Sequence, residues 1–277
     1  MSKNGMTPAG EALRQAILEA LLEIDARLSG EMSAAEIHLA RRGAKRARAL
    51  ARLAPAGLAS LARNTRRIVD RARRALGAAR DVEVRAKTLD ALKPRLGSAH
   101  EALARLADAP PGEAGAAVEP ALREELAALV RDWRLCEADG ALDDIVAAAG
   151  VTYRRMRKRA KAARDGDSEA LHHWRAAVVD FEYDMDFLSR FSADMKRKRR
   201  DADRLRQYLG DINDLDELCG HVRRRADPGD QVAVHDLEKA GAARRARLLA
   251  RAFAIADDLL ELKPAQWIRE TGKSCAR

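Results

Sequence analysis

The sequence has few of the residues that mark disulfide-linked, zinc-stabilised or membrane-spanning proteins. Its 277 residues include three cysteines, Cys136, Cys219 and Cys275, which lie far apart and form no CxxC pair. This spacing argues against a disulfide scaffold and against a Cys-based zinc site. No run approaches the roughly 18 apolar residues of a membrane span, and the N-terminal segment lacks the apolar core of a signal peptide. We therefore expect a soluble, cytoplasmic protein that does not associate with membranes.

Catalytic motifs are also missing. The sequence contains no GxSxG, P-loop, HExxH or GxGxxG segment. His100, His221 and His235 show no metal-ligand spacing, and the adjacent His172 and His173 would point about 100° apart on a helix. We therefore predict no enzymatic activity, no bound metal and no cofactor.

Aromatic residues make up only 4% of the chain and β-branched residues are sparse, whereas alanine is abundant. Alanine favours closely packed helices because it costs least in a helix. Few stretches alternate apolar and polar residues over the length of a strand, so the predicted fold class is all-α. Proline, glycine and capping residues predict helices at about 8–28, 33–53, 57–76, 81–92, 97–107, 121–136, 142–163, 168–189, 193–209, 214–225 and 232–262.

Two short motifs recur in the same order and at nearly the same interval. His-x-x-Arg occurs at 38–41 and at 172–175, and Leu-Gly occurs at 76–77 and at 209–210. The interval from the histidine to the glycine is 39 residues in the first copy and 38 in the second, which predicts two diverged copies of one unit. We interpret each Leu-Gly pair as a helix stop followed by a polar cap. The predicted domain spans 1–277, with helical halves at about 7–108 and 120–262 and a linker rich in Pro, Gly and Ala at 109–119.

Positive charge is concentrated in runs. The formal net charge is +9, and the segment from His38 to Arg74 holds twelve Lys and Arg but a single acid, Asp70. Like charges one helical turn apart repel, so a stripe of one sign favours a bound anion, although a solvated surface is the alternative. On a helix, five residues of this segment fall within an arc of about 80°: His38, Arg41, Lys45, Arg48 and Arg52.

Further basic runs follow along the chain. Several such stripes facing one groove would focus a positive field inside it. Arginine forks and lysine ammonium groups both suit phosphate oxygens. His38 and His172 lie near helix starts, where anions are favoured, although a capping or core role is the alternative. The additional basic residues are Arg63, Arg66 and Arg67, then Arg154, Arg157 and Lys158, and finally Arg199 and Arg200.

With these motifs assembled, the chain resembles the CHAD family, which is named for conserved histidines in an α-helical domain. The resemblance rests on His38-x-x-Arg41-x-x-x-Lys45-Arg46-x-Arg48, on Leu171-His172-x-Trp174-Arg175 followed by Tyr183, and on the Leu-Gly segments. It extends from about residue 7 to about residue 262. It implies two pseudo-symmetric antiparallel helical bundles with a basic channel at their junction.

The resemblance also implies a function without catalysis. The expected ligand is inorganic polyphosphate, the expected location is the cytoplasm and its polyphosphate granules, and proteins of polyphosphate metabolism are expected partners. The residues assigned to polyphosphate binding on this basis, together with the charge runs, are His38, Arg41, Lys45, Arg46, Arg48, Arg52, Arg63, Arg66, Arg67, Arg154, Arg157, Lys158, His172, Arg175, Arg199 and Arg200.

The chain departs from the family pattern after Arg175. Where the family has further basic residues, this sequence has Ala176, Ala177, Val179, Asp180 and Glu182. We therefore expect a lopsided site in which this helix contributes less than its counterpart.

Two other functions stay open at this stage. A nucleic-acid binder would also need positive charge, but the basic stripes lack the aromatic residues on which bases usually stack. A metal-dependent phosphohydrolase could use Asp81, Asp211 and Asp214, although no motif fixes their geometry.

Overall fold

The computed structural model describes residues 9–28, 33–76, 81–108 and 119–276. All regular structure in these ranges is helical, which confirms the predicted all-α class. Short 3-10 turns lie at Ala56–Leu58 and Pro228–Asp230. The α-helices are α1 (Ala9–Leu28), α2 (Ala34–Leu50), α3 (Ala59–Ala75), α4 (Asp81–Asp90), α5 (Lys93–Leu96), α6 (Ala99–Ala107), α7 (Pro120–Leu135), α8 (Leu142–Ala162), α9 (Ser168–Leu188), α10 (Ala193–Arg225), α11 (Gln231–Leu259) and α12 (Pro264–Cys275).

The helices pack as two bundles that meet through α2 and α9. Helices α1, α2, α3 and α7 form a ring of neighbours, while α8, α9, α10 and α12 form the second group, with α11 against α10. Helices α4, α5 and α6 pack on α10 and α11. The two bundles therefore do not coincide with the two sequence halves on either side of 109–119. Helices α4–α6, from the first half, pack with the second bundle, and α7, from the second half, packs with the first. The halves 7–108 and 120–262 stay a prediction about the sequence repeat.

Small residues bring the helices close together. Ala20 of α1 and Ala40, Ala44 and Ala47 of α2 are at most 1% exposed where these two helices pack. Since alanine ends at Cβ, the backbones approach closely and the long basic side chains of α2 are left on its opposite face. The alanine-rich composition thus both builds the core and orients the charge.

Helix α10 corrects one sequence prediction. A break was expected after Leu209, yet α10 runs without interruption from Ala193 to Arg225. A single glycine costs only about 1 kcal/mol in a helix, and Leu205, Leu209 and Ile212 are buried on either side of it. A Cβ on Gly210 would lie 3.5 Å from Arg175 Nη2, so the glycine gives that guanidinium a smooth surface to lie along. In the first Leu-Gly segment, Leu76 is buried at the end of α3 and residues 77–80 lie outside the described residues.

Helix α12 was not predicted at all. It begins with Pro264 at its first turn, a favoured position because the missing N–H needs no partner there. Trp267, 1% exposed, stacks on Tyr153 of α8 with ring centroids 4.8 Å apart. A Cβ on Gly150 would lie 2.4 Å from Ile268 Cγ1, so only glycine allows α8 and α12 this approach. Within the described residues, no helix is long and apolar enough to cross a lipid bilayer.

Candidate anion-binding site

A basic cavity of about 400 Å³ lies where α2, α9 and α10 meet. His38 stands on its α2 wall, and Glu182 and Asp203 are its carboxylates. Val179 and Tyr183 supply its apolar surface. Cations outnumber carboxylates at this junction by seven to two, and the cationic side chains are Arg41, Arg42, Lys45, Arg175, Arg199, Arg200 and Arg206.

The α2 wall owes its register to the start of that helix. Ser33 Oγ accepts from Glu36 N at 3.2 Å, and Ser33 N donates to Glu36 Oε2 at 2.7 Å. This predicted capping box fixes the first turn directly before His38. Arg41 Nη1 donates to Leu76 O at 2.8 Å, so Arg41 also covers an unpaired carbonyl at the end of α3. One cation of the cavity is thereby held in place.

The α9 wall neutralises part of the charge on α10. Arg206 Nε lies 2.6 Å from Glu182 Oε2, and Arg206 also pairs with Asp203. Burial raises the pKa of Glu182, and the attraction of Arg206 acts against that rise. Burial likewise raises the pKa of Tyr183, whose hydroxyl donates to the backbone oxygen of Arg42 at 3.4 Å. Glu182, one of the acids after Arg175, thus offsets a cation of the cavity.

A buried ion cluster lies beside the cavity and joins the bundles. Asp180 of α9 is 4% exposed at its side chain, and Arg48 Nη2 approaches its Oδ1 at 3.2 Å. Arg52 Nη1 and Arg155 Nη2 each lie 2.7 Å from Asp180 Oδ2. Arg48 also reaches Asp70 of α3 at 3.3 Å. The cluster connects α2, α3, α8 and α9, so Arg48 and Arg52 act as counter-ions of a buried carboxylate.

Asp184 lies one turn further along α9 and is fully buried. Neither of its carboxylate oxygens meets hydrogen-bond geometry with a described residue, although the buried Thr152 side chain lies close enough to act against the rise of its pKa. Burial raises its pKa well above the usual range, and the nearby charge of Asp180 adds to that rise. The carboxyl group is therefore kept in its neutral form far more readily than a surface aspartate, since a buried charge without a partner is costly.

The sequence comparisons agree with this architecture. The family model of the CHAD domain matches residues 11–223. This chain belongs to the CHAD family. The crystal structure of the CHAD domain from the plant Ricinus communis is similar over 95% of this chain and 96% of that chain, at 20% identity and a TM-score of 0.56. At that identity the similarity shows the fold alone. A comparison with curated proteins found no match.

The CHAD cavity contains six of the sixteen residues assigned to it from the sequence. Arg42 and Arg206 were missed. The first directly follows Arg41 and was overlooked beside it. The second lies two helical turns after Arg199, and acids between them interrupt the basic run. The six are His38, Arg41, Lys45, Arg175, Arg199 and Arg200.

Three assigned residues lie elsewhere in this CHAD domain, in a groove of about 550 Å³ between α8 and α11. They are Arg154, Arg157 and Lys158. Arg157 Nη1 donates to Leu262 O at 2.9 Å and thereby satisfies a carbonyl beyond the end of α11. Their part in binding the same ligand stays a prediction.

The remaining assigned residues contact protein groups outside the cavity. Arg46 lies 3.6 Å from Glu19, and His172 Nδ1 lies 3.0 Å from Asn213 Oδ1. On α3, Arg63 and Arg67 line a shallow surface depression, and Arg66 Nε approaches Ala62 O at 3.4 Å. None of them lines the α2–α9–α10 cavity.

The acids considered for metal-dependent hydrolysis do not form a metal site in the part of the chain that the structure describes. In those residues, no group of three or more His, Cys, Asp or Glu is placed to hold a metal ion. Asp211 Oδ2 lies 3.8 Å from Arg244 Nη2. Burial raises the pKa of Asp211, and the attraction of Arg244 acts against that rise. The side chain of Asp81 lies outside the description.

Proposed function

We propose that this CHAD protein binds inorganic polyphosphate in the cavity between α2, α9 and α10. The observation that carries the proposal is the charge of the lining, seven cations against two carboxylates on three helices. Guanidinium and ammonium groups on facing walls attract a chain of phosphates at many points. Low-dielectric helix walls strengthen that field.

The lining favours a phosphate chain over nucleic acid. Tyr183 is the aromatic residue of the cavity, and its half-buried ring has a hydroxyl that bonds to the α2 backbone. Single-stranded nucleic acids are usually held by bases stacked on exposed aromatic rings. A ligand made only of phosphate needs no such ring, and the cavity offers little besides cations.

The cations differ in how firmly they are held. Arg41 is fixed on the α3 carbonyl, and Arg175 lies along the glycine surface of α10. Arg200 is exposed, and Arg199 pairs with Asp186 at 3.0 Å on the rim. We infer that the anchored arginines set the position of the chain while the rim cations adapt to it.

A three-site variant tests this proposal. Lys45, Arg199 and Arg200 are changed together to alanine, because none of them supports the Asp180 cluster. The matched control changes Arg123, Arg131 and Arg134 of α7 to alanine, which removes the same charge from an exposed surface elsewhere. Binding of labelled long-chain polyphosphate is measured at near-physiological salt, in competition with single-stranded DNA, RNA and orthophosphate.

The expected result is a clear preference of the native protein for polyphosphate. Loss of three charge-assisted contacts should weaken binding about 100-fold or more, at roughly 1 kcal/mol or more each. The control should change affinity by less than about threefold, and binding should weaken steeply with salt through counterion release. Unchanged affinity in a folded cavity variant would contradict the assigned site, and displacement by RNA or DNA would favour the nucleic-acid function.

We further propose that binding directs the protein to cytoplasmic polyphosphate granules and to the enzymes that act there. A fluorescent fusion of the native chain should colocalise with stained granules. The cavity variant should be diffuse while the α7 control stays on the granules. Granule localisation of both variants would show that the cavity does not direct it.

A further inference from the structure

A second cavity, of about 480 Å³, lies on another face of α10, further along the helix than the anion site. It opens between the α4–α5 turn and helices α10 and α11. Its volume lies within the range of about 300–1,000 Å³ that is usual for small-molecule sites. Nothing in the polyphosphate proposal uses its lining residues.

The floor of this cavity is apolar. Leu92 and Leu248 are buried beneath it, and Pro94 and the half-buried ring of Tyr208 form its sides. In the described residues, the hydroxyl of Tyr208 has no hydrogen-bond partner. In the anion site nine of the twelve lining residues are charged, beside Val179 and Tyr183, whereas five of the ten lining residues of this cavity are apolar or aromatic. The two cavities therefore suit ligands of different chemistry.

Arginines surround this floor. Arg244, Arg247 and Arg251 follow one face of α11, and Arg95 stands opposite them on α5. Arg244 pairs loosely with Asp211, at 3.8 Å. For Arg95, Arg247 and Arg251, no carboxylate partner exists among the residues that the structure describes. Arg247 and Arg251 lie one turn apart and repel each other, a cost that a bound anion would remove.

The three arginines of α11 lie after residue 223, where the match to the CHAD family model ends. The motifs from which the anion site was predicted all lie within that match, so this rim is independent of them.

We propose that this cavity binds a nucleoside phosphate. Arginine forks on the rim match phosphate oxygens in a bidentate manner, and guanidinium planes also stack on aromatic rings. The tyrosine ring and the leucine and proline surface accept a flat base. Asp211 and the Tyr208 hydroxyl stand beside that surface as hydrogen-bonding groups for sugar hydroxyls or base edges. A simple phosphate chain would leave the apolar floor without contact.

The test is calorimetric titration of the full chain with ADP, adenosine and inorganic pyrophosphate as separate probes. ADP should bind at least about tenfold more tightly than either partial probe, because it alone reaches both the floor and the rim. Changing Arg247 and Arg251 together to alanine should weaken ADP binding at least about tenfold. Changing Arg123 and Arg131 to alanine, which also removes two charges, should leave it unchanged.

Two further readouts separate this site from the polyphosphate site. Tyr208→Leu keeps apolar volume but removes the ring, so it should weaken ADP binding while pyrophosphate binding stays the same. The Arg247 and Arg251 variant should keep native affinity for long polyphosphate. Either proposal can then fail without the other.

Three results would overturn the nucleotide proposal. The first is absence of ADP binding to the native protein at millimolar concentration. The second is equal affinity for pyrophosphate and ADP, which would mean that only the charge is recognised. The third is ADP binding that is lost in the Lys45, Arg199 and Arg200 variant but kept in the Arg247 and Arg251 variant, which would place the nucleotide in the other cavity.

Discussion

Helices α2 and α9 begin with the same His-x-x-Arg motif and meet at the junction of the bundles, yet they carry opposite charge beyond it. After Glu36, α2 has no acid. After Arg175, α9 has four acids and no base. One copy of the repeat presents cations to a cavity, and the other supplies counter-ions to Arg48 and Arg52 at the end of α2 and to Arg206 of α10.

The difference shows how a basic stripe can be divided between binding and packing. The α2 stripe predicted from the sequence ran from His38 to Arg52 on one face. In the structure its first part opens into the cavity, while Arg48 and Arg52 turn to the buried Asp180. The carboxylate of Asp180 thereby separates the cavity cations of α2 from Arg48 and Arg52 and ties the bundles together.

The largest effect is expected from removing Asp180, the carboxylate that holds Arg48 and Arg52 away from the cavity. Asp180→Ala leaves Arg48, Arg52 and Arg155 facing one another without their shared carboxylate, and loss of one partner of a buried ion pair costs about 3–5 kcal/mol. We expect the free energy of unfolding, measured in urea, to fall by about that amount. Asp186→Ala on the same helix, which removes a partly exposed carboxylate paired with Arg199, should cost less than about 1 kcal/mol. Equal effects in the two variants would mean that the cluster is not a structural tie.

The second prediction concerns the buried acid Asp184, one helical turn after Asp180. The pKa of Asp184 is raised in the folded state, so the folded protein binds more protons than the unfolded chain. Native stability should therefore fall as pH rises above about 3.9, the unfolded pKa, until the raised folded pKa is passed. Asp184→Asn lacks this loss, so its stability relative to the native protein should increase with pH. Urea denaturation at several pH values between about 4 and 8 measures the difference, and a difference independent of pH would contradict the burial argument.

A smaller effect is expected from removing the α9 carboxylate that lines the cavity, Glu182. Glu182→Gln removes one of the two carboxylates that hold Arg206 and leaves Asp203, so that cation becomes more available to the ligand. We expect polyphosphate affinity to rise about two- to fivefold, from roughly 0.5–1 kcal/mol of relieved pairing. Glu137→Gln, on an exposed loop, is the control and should have no effect. A fall in affinity for Glu182→Gln would show that the pair positions Arg206 for binding instead of withholding it.

The smallest expected effect is a difference in polyphosphate affinity between variants of the two motif histidines, His38 and His172. His38 lines the cavity, whereas His172 bonds to Asn213 outside it. His38→Ala should weaken polyphosphate binding about two- to threefold, the loss of one modest hydrogen bond. His172→Ala should leave the affinity unchanged. Equal losses in the two variants would restore the symmetric site that the repeat suggested.

Much of the fold could be predicted from the helical period of apolar residues and from the positions of proline, glycine and capping residues. The Ser33–Glu36 box and Asp167 start helices where the sequence places them. The continuity of α10 could not be predicted, because buried leucines on both sides of Gly210 outweigh its low helix propensity. α12 was missed because its burial depends on the partner surface around Gly150.

The site was predictable where it is local. The cations on the first turns of α2 follow from the 3.6-residue period. The pairing of Arg48 with Asp180 joins residues 132 positions apart, so no local pattern reveals it. The same holds for Arg206, whose place in the cavity depends on how α10 packs against α9.

Helix α10 forms a wall of both cavities. Asp203 lines the cavity between α2, α9 and α10, and Asp211 lines the cavity between α10 and α11. Eight residues separate them, which is about 12 Å along the axis and about 80° around it. Because the helix is unbroken over this distance, it fixes the spacing between the two cavities. A ligand that shifts α10 by about an ångström at one cavity would therefore also shift the α10 wall of the other cavity.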